Sequence, residues 1–315
     1  MPELPDLAHI EAKLRPALVG QEIADARTGD PTVLRIMIDE PLGAALRARH
    51  ITSVDRRGHF MRFGIEGDRV IVINAMLVGK YRLLAPAQLE GKKDPRALGL
   101  ALALAGGNEL HYIDDKRMGK VYVARPADEA QIPVYNELGV DLLSPAFDRA
   151  RFEQIAKGRR DQVRPFLMDK RALASIGNAY ADEILFAARI HPKTFVRSLS
   201  EQDRDRLFGA INQVLRAAID EIERRDAPAD VKVRDFLSVR GRVGKPCPSC
   251  GTKIREVRVN DWDACFCPTC QPVTRSLFID WSRIGPPPEG ATAGAAPAAA
   301  GKARPRRRTR RAGPG

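Results

Sequence analysis

Four of the five cysteines fall as two Cys-x-x-Cys pairs, Cys247-Pro-Ser-Cys250 and Cys267-Pro-Thr-Cys270, with sixteen residues between them. Two such knuckles on a hairpin give Zn²⁺ the four soft ligands of a tetrahedral site. Four thiolates leave no open position, so one structural ion is expected, replacing a core too small to fold unaided. Cys265 is the spare, read as a small, partly buried residue rather than a reactive thiol. At its other end the chain opens Met1-Pro2-Glu3-Leu4-Pro5-Asp6-Leu7. Removal of Met1 would expose a secondary amine at Pro2 beside a carboxylic acid at Glu3. Taken alone, the pair reads better as the ordinary opening of a helix.

These groups need a scaffold. Leu7, Ile10, Leu14 and Leu18 recur at helical spacing, and Pro5 suits a first turn, so Leu4 to Leu18 reads as an amphipathic helix. From about Val33 to Val123 the pattern is short β-rich runs separated by turn residues. Phe60 to Ile65, Glu66-Gly67-Asp68 and Val70 to Ile73 form a hairpin in this reading, and the repetition indicates a β-sandwich or barrel. After Pro133, Gly139 and Pro145 the pattern turns helical, with candidates at Phe152 to Ala156, Pro165 to Leu173, Asn178 to Ala188 and Ser200 to Arg224. The last opens on Ser200-Glu201-Gln202-Asp203, which resembles a capping box.

The expectation is an α+β multi-domain chain. It has an N-terminal helix and β-sandwich over 1–132, a helical domain over 133–235, a zinc-ribbon hairpin over 236–284 and a disordered basic tail over 285–315. The tail holds seven basic side chains against Glu289 alone, so the net charge of +12 divides evenly, +6 to the tail and +6 to the body. A basic body suits a phosphate-bearing partner, and solubility is the competing reading. The charged N-terminus lacks a secretory core, and the longest apolar run, Ala97 to Ala105, is far below the roughly 18 residues of a membrane span. A cytoplasmic, nucleoid-associated monomer with no membrane contact is expected.

Three stretches, in order, resemble the formamidopyrimidine-DNA glycosylase and endonuclease VIII family: the Pro2-Glu3 start, the run Arg164 to Pro192 containing Gly177-Asn178, and Val239 to Cys247 leading into the cysteine hairpin. The run from Arg164 resembles the family's helix–two-turn–helix motif. The resemblance covers about residues 1–284 and implies base-excision repair of double-stranded damaged DNA by a bifunctional glycosylase and abasic-site lyase. It makes Pro2 the nucleophile and Glu3 the acid. An α-amino group, with a reference pKa of about 7.7–8.0, is partly free near neutrality, whereas lysine at roughly 10.4 needs more tuning. Asn178 and the N–H groups of the Gly177 turn are expected to hold a phosphate, with Arg164 and Arg242 as further phosphate contacts. Met76 or Leu77, Met118 and Arg117 stand where the family fills the gap left by the flipped base; core filling is the competing reading for the methionines. Tyr180, Asp182 and Glu183 read as buried polar anchors.

The chain also departs from the pattern. Arg56-Arg57-Gly58-His59 has a histidine where the family carries a lysine near the lesion phosphates, so His59 is the candidate cation there. The hairpin tip, Asn260-Asp261-Trp262-Asp263-Ala264, lacks the family's phosphate-clamping arginine and carries two acids. Asp226 to Phe236 is too short for the lesion-capping loop of the 8-oxoguanine-specific members. These departures motivate the alternative reading, a damaged-DNA binder that is weakly catalytic or not catalytic at all.

Overall fold

The structure is a computed structural model and describes residues 2–91 and 93–273. The tail expected over 285–315, and the last part of the expected zinc segment, lie outside the described residues.

Helix α1 (Leu4–Leu18) opens with Glu3 as its N-cap, whose N–H donates to the Asp6 carboxylate at 2.7 Å. Its stripe of Leu7, Ile10, Leu14 and Leu18 enters the β core, while Leu4 belongs to the helical core. One short helix thereby joins two hydrophobic bodies.

The β body is built from β1 (Glu22–Arg27), β2 (Leu34–Ile36), a short α2 (Leu42–Leu46), β3 (Arg49–Arg57), β4 (Phe60–Ile65), β5 (Arg69–Asn74), β6 (Lys80–Leu84), a single turn α3 (Pro86–Leu89), β7 (Leu98–Leu104), β8 (Glu109–Ile113) and β9 (Lys120–Ala124). The strands run β2-β9-β5-β4-β3-β1-β7-β8-β6. Only the β2–β9 pair is parallel among them. At the centre, β1 meets only the start of β3, through Glu22↔His50 and Ile23↔Arg49; beyond Ile51 the register of β3 slips and it pairs with β4. The two halves fold face to face as a sandwich, with Leu102 and Tyr112 of one meeting Phe63, Ile73 and Val121 of the other in one core. The β4–β5 hairpin stands where the sequence placed it. Its run is apolar without alternation because both faces are covered: Ile71 and Ile73 face the sandwich, and Val70 and Val72 pack against Ile132 and Tyr135.

The helical body holds α4 (Arg149–Ala156), α5 (Val163–Met168), α6 (Asn178–Ala187) and α7 (Glu201–Arg224). In α7 the Ser200 hydroxyl accepts from the Asp203 N–H at 3.1 Å and the Asp203 carboxylate accepts from the Ser200 N–H at 3.0 Å, the capping box the sequence proposed. Helix α5 stops five residues short of the expected end. Its carbonyls and the Asp169 side chain turn the chain at Asp169, and Leu173 leaves to bridge Val140. The last elements, β10 (Arg255–Val259) and β11 (Trp262–Phe266), form a hairpin closing at Val259↔Trp262, with Asn260 in the left-handed conformation at φ 52°.

Candidate active site and DNA-binding surface

Pro2 and Glu3 are both buried, at the point where α1 meets the loop before α6. The Leu4 N–H donates to the Ser175 carbonyl at 2.9 Å. The Glu3 carboxylate then accepts the N–H groups of Gly177 at 2.9 Å, Ala179 at 3.1 Å and Tyr180 at 3.1 Å, so it seats itself on the N-terminus of α6. Burial raises the Glu3 pKa above the ordinary carboxylate value, and the Tyr180 and Ala179 N–H groups oppose that shift without cancelling it. Pro2 lines a narrow pocket with Asp6, His9, Gly79, Lys80 and Lys232, and Lys232 donates to the Leu77 carbonyl at 3.3 Å.

Around this pair runs a polar frame that sequence reasoning does not find. Arg234 forms an ion pair with Asp6, donates to the Tyr180 hydroxyl at 3.2 Å and lies 4.9 Å over the Tyr180 ring. A single arginine in a short connector carries no spacing signal.

Arg164 needs correction as a phosphate contact. It is 1% exposed, donates to buried Asp182 at 2.8 Å, to the Asn178 side-chain oxygen at 2.9 Å and to the Asp263 carbonyl at 3.2 Å. A guanidinium so enclosed is a strut between α5, α6 and β11. Asp182 also accepts from Arg240 at 2.9 Å and from the Cys265 N–H at 3.0 Å, while Glu183 accepts the N–H groups of Ser238, Val239 and Arg240. Both acids, with Tyr180, are the buried anchors the sequence favoured. Asn178 is half-buried at the first position of α6, and its oxygen is held by Arg164, so the donor end of the amide remains for a ligand. Arg242 lines a cleft of about 440 Å³ with Ala179, Arg234, Arg240 and Lys245, and its buried Nε has no partner among the described residues.

His59 is corrected as well. It is 4% exposed at the β3–β4 turn, packed 4.4 Å from Phe60 with the rings tilted by 38°, and its Nδ1 is unpartnered among the described residues. Burial, helped by the Lys170 charge, pushes its pKa down to about 3, so the ring is neutral and enclosed where a phosphate-facing cation was expected. By contrast Leu77 and Met118 are exposed large apolar side chains, and Met76 is half-buried at φ 44°. Arg117 pairs with Asp30 at 2.6 Å yet keeps most of its side chain in solvent.

The sulfurs of Cys247, Cys250, Cys267 and Cys270 lie within 4.8 Å of one another, with Cys247 and Cys270 at 3.9 Å and Cys250 and Cys267 at 3.5 Å. Zinc–sulfur bonds of about 2.3 Å in a tetrahedron set sulfurs about 3.8 Å apart, so the donors fit the ion. Backbone N–H groups of Ser249 and Cys270 point at Cys247 and Cys267 sulfur, each at 3.4 Å. Cys265 is buried and stands outside the set. A further cluster, Asp94, Glu109 and His111, is no metal site in this state: Arg27 donates to both carboxylates, at 2.7 Å each.

Residues 1–121 match the model of the formamidopyrimidine-DNA glycosylase N-terminal domain, 138–226 that of the formamidopyrimidine-DNA glycosylase H2TH domain, and 244–273 that of the zinc finger found in FPG and IleRS. A formamidopyrimidine-DNA glycosylase of Moorella thermoacetica is 34% identical over 273 residues, 82% of this chain and 95% of that protein. The chain belongs to the formamidopyrimidine-DNA glycosylase family. The crystal structure of the Thermus thermophilus protein is similar at a TM-score of 0.71 with 31% identity, covering 86% of this chain and 98% of that one. The Lactococcus lactis protein in complex with DNA containing an abasic site is similar at 0.77 with 26% identity, covering 86% and 100%. Membership makes the chain a base-excision-repair DNA glycosylase with abasic-site lyase activity, carrying a zinc finger. No helix among the described residues is long and apolar enough to cross a membrane.

Proposed function

We propose that this enzyme removes an oxidised base from double-stranded DNA through Pro2, with Glu3 as the acid. One observation carries the assignment: the Glu3 carboxylate, buried beside Pro2, is gripped by three N–H groups more than 170 residues away in sequence. That geometry supports the reading of Glu3 as an acid held beside the Pro2 amine. With Met1 removed, the Pro2 nitrogen attacks C1′ of the flipped nucleotide. The C1′–N bond to the base breaks and the departing base takes up the proton that the Pro2 nitrogen gives up. Glu3 then supplies a proton to the sugar ring oxygen as the ring opens, and an iminium joins Pro2 to C1′. Loss of a 2′ proton then expels the 3′ phosphate and cuts the strand, and water releases Pro2.

We assign the chemistry to the 1–132 part, strand grip to 133–235 and the zinc hairpin over 236–284. Asn178 and Arg242 hold phosphates, and Leu77 or Met76, Met118 and Arg117 fill the gap left by the flipped base. Their exposure supports the wedge reading of Leu77 and Met118 over core filling. The enzyme acts as a monomer on nucleoid DNA in the cytoplasm.

The test is borohydride trapping on duplexes carrying an abasic site or an oxidised pyrimidine, using protein whose Met1 removal is confirmed by mass. A covalent adduct mapped to Pro2, absent in Pro2→Gly, is expected. Equal trapping by the two proteins would remove Pro2 as the nucleophile, and tight binding without trapping would remove the reaction.

A further inference from the structure

Trp262 is 54% exposed at the tip of the β10–β11 hairpin, and it is the most exposed of the large apolar side chains among the described residues. Leaving an indole in water forgoes more burial than leaving any other side chain, and such exposure marks a binding surface. The backbone beneath it is fixed. The carbonyl of Asp263, the next residue, accepts from Arg240 at 2.8 Å and from Arg164 at 3.2 Å, and the Cys265 N–H is tied to Asp182. Five residues after Trp262 the chain enters the cysteine cluster at Cys267. The same Arg164 holds Asn178, whose helix carries Glu3 on its N-terminus. Trp262 therefore stands on a backbone tied, through Asp263 and one buried guanidinium, to the helix that seats the acid.

The charge around it selects the ligand. Asp261 and Asp263 are both exposed, and Arg258, itself mostly in solvent, lies 3.9 Å from Asp261, so the tip carries two acids against one base. Two carboxylates against one arginine make this tip a poor seat for a phosphate. A neutral nucleobase face is accepted, since stacking on an aromatic ring needs no countercharge. We propose that Trp262 is a stacking platform for an unpaired or unstacked base beside the lesion, so that this hairpin tip reads a base plane rather than a phosphate. The proposal rests on the DNA-glycosylase reading above and adds a specificity element to it: lesions in bubbles or single-stranded stretches, whose neighbouring bases are already unstacked, are favoured over lesions in perfect duplex.

The experiment uses the full chain with Trp281→Phe, which leaves Trp262 as the sole tryptophan. Its fluorescence is followed while lesion DNA carrying a non-cleavable abasic analogue is added, as duplex and as bubble, with binding measured in parallel by anisotropy of labelled DNA. Quenching that tracks binding is expected, larger for the bubble. Trp262→Ala should weaken bubble binding by about ten-fold, Trp262→Phe should restore most of it, and the salt slope should stay unchanged because every phosphate contact is kept. Binding with no quenching, or wild-type affinity in Trp262→Ala, overturns the platform while leaving the glycosylase reading intact. Absence of lesion-DNA binding by the Trp281→Phe protein overturns both.

Discussion

The buried imidazole of His59 makes a quantitative prediction about acid stability. The folded protein holds this pKa near 3 against an ordinary value of 6.5, chiefly through burial. Its folded value is depressed, so the unfolded chain binds a proton that the native state refuses, and stability is lost as pH falls from 6.5 toward 3. At about pH 5.5, one unit below the unfolded value, the loss from this residue is about 1.4 kcal/mol, while at about pH 7.5 it is close to zero. His59→Leu removes the titration and keeps an apolar side chain of similar bulk in the same site. Urea unfolding followed by circular dichroism at the two pH values gives the loss for each protein. Wild type should lose about 1.4 kcal/mol more than the variant over that interval. His191, pushed down to about 4 by burial, titrates with the same sign, but it is present in both proteins and cancels. Equal losses would mean that His59 takes up its proton in the folded state, and would restore it as a candidate cation at the site.

Three further outcomes follow from the geometry. Glu3→Gln should slow base release by about 10²- to 10⁴-fold while leaving trapping on a preformed abasic site, whose base is already gone, much less affected; gel assays on the two substrates separate the steps. Base release by wild type should decline as pH rises through the elevated Glu3 pKa, and the variant should lose that decline. Asp182→Ala leaves Arg164 charged, buried and unpaired, and should cost about 3–5 kcal/mol in urea unfolding. A loss under about 1 kcal/mol would show that water reaches the guanidinium. Removing 286–315 takes away seven basic side chains, so the dependence of DNA affinity on salt should become shallower by about 0.9 for each phosphate the tail neutralises; an unchanged slope places the tail off the DNA.

Elements whose signal is local were legible in the sequence. Helix α1 and helix α7 carry their apolar stripes and end signals within their own residues, the β4–β5 hairpin carries its turn, and the cysteine spacing fixes four ligands without any knowledge of the fold. What stayed hidden depended on distant partners. Arg164 resembles any surface cation until Asp182 and the Asp263 carbonyl close around it. His59 reads as titratable until Phe60 and the burial of its turn are known. Arg234, held by Asp6 from the far end of the chain, has no local signature at all. Helix α5 is shorter than its sequence suggests because the residues after Met168 have acceptable helix propensity, and a tertiary bridge from Leu173 to Val140 overrides it.

The N-terminus of α6 has two claimants, and the structure gives its N–H groups to one of them. The sequence offered its N–H groups to a DNA phosphate, yet those of Gly177, Ala179 and Tyr180 all point at Glu3. A side chain at position 177 could not be accommodated, because its Cβ would fall 2.6 Å from the Glu3 carboxyl carbon; glycine is required there by the acid rather than by the nucleic acid. In the proposed reading, phosphate recognition then falls to the Asn178 amide and the arginine-lined cleft beside Ala179. Had a phosphate taken the N–H groups instead, Glu3 would lose the three hydrogen bonds that fix its position. The helix end therefore orients the acid, and on the proposed reading the side chains around it would meet the strand, so that the same few residues of α6 would hold the reacting group and the DNA in a fixed relation.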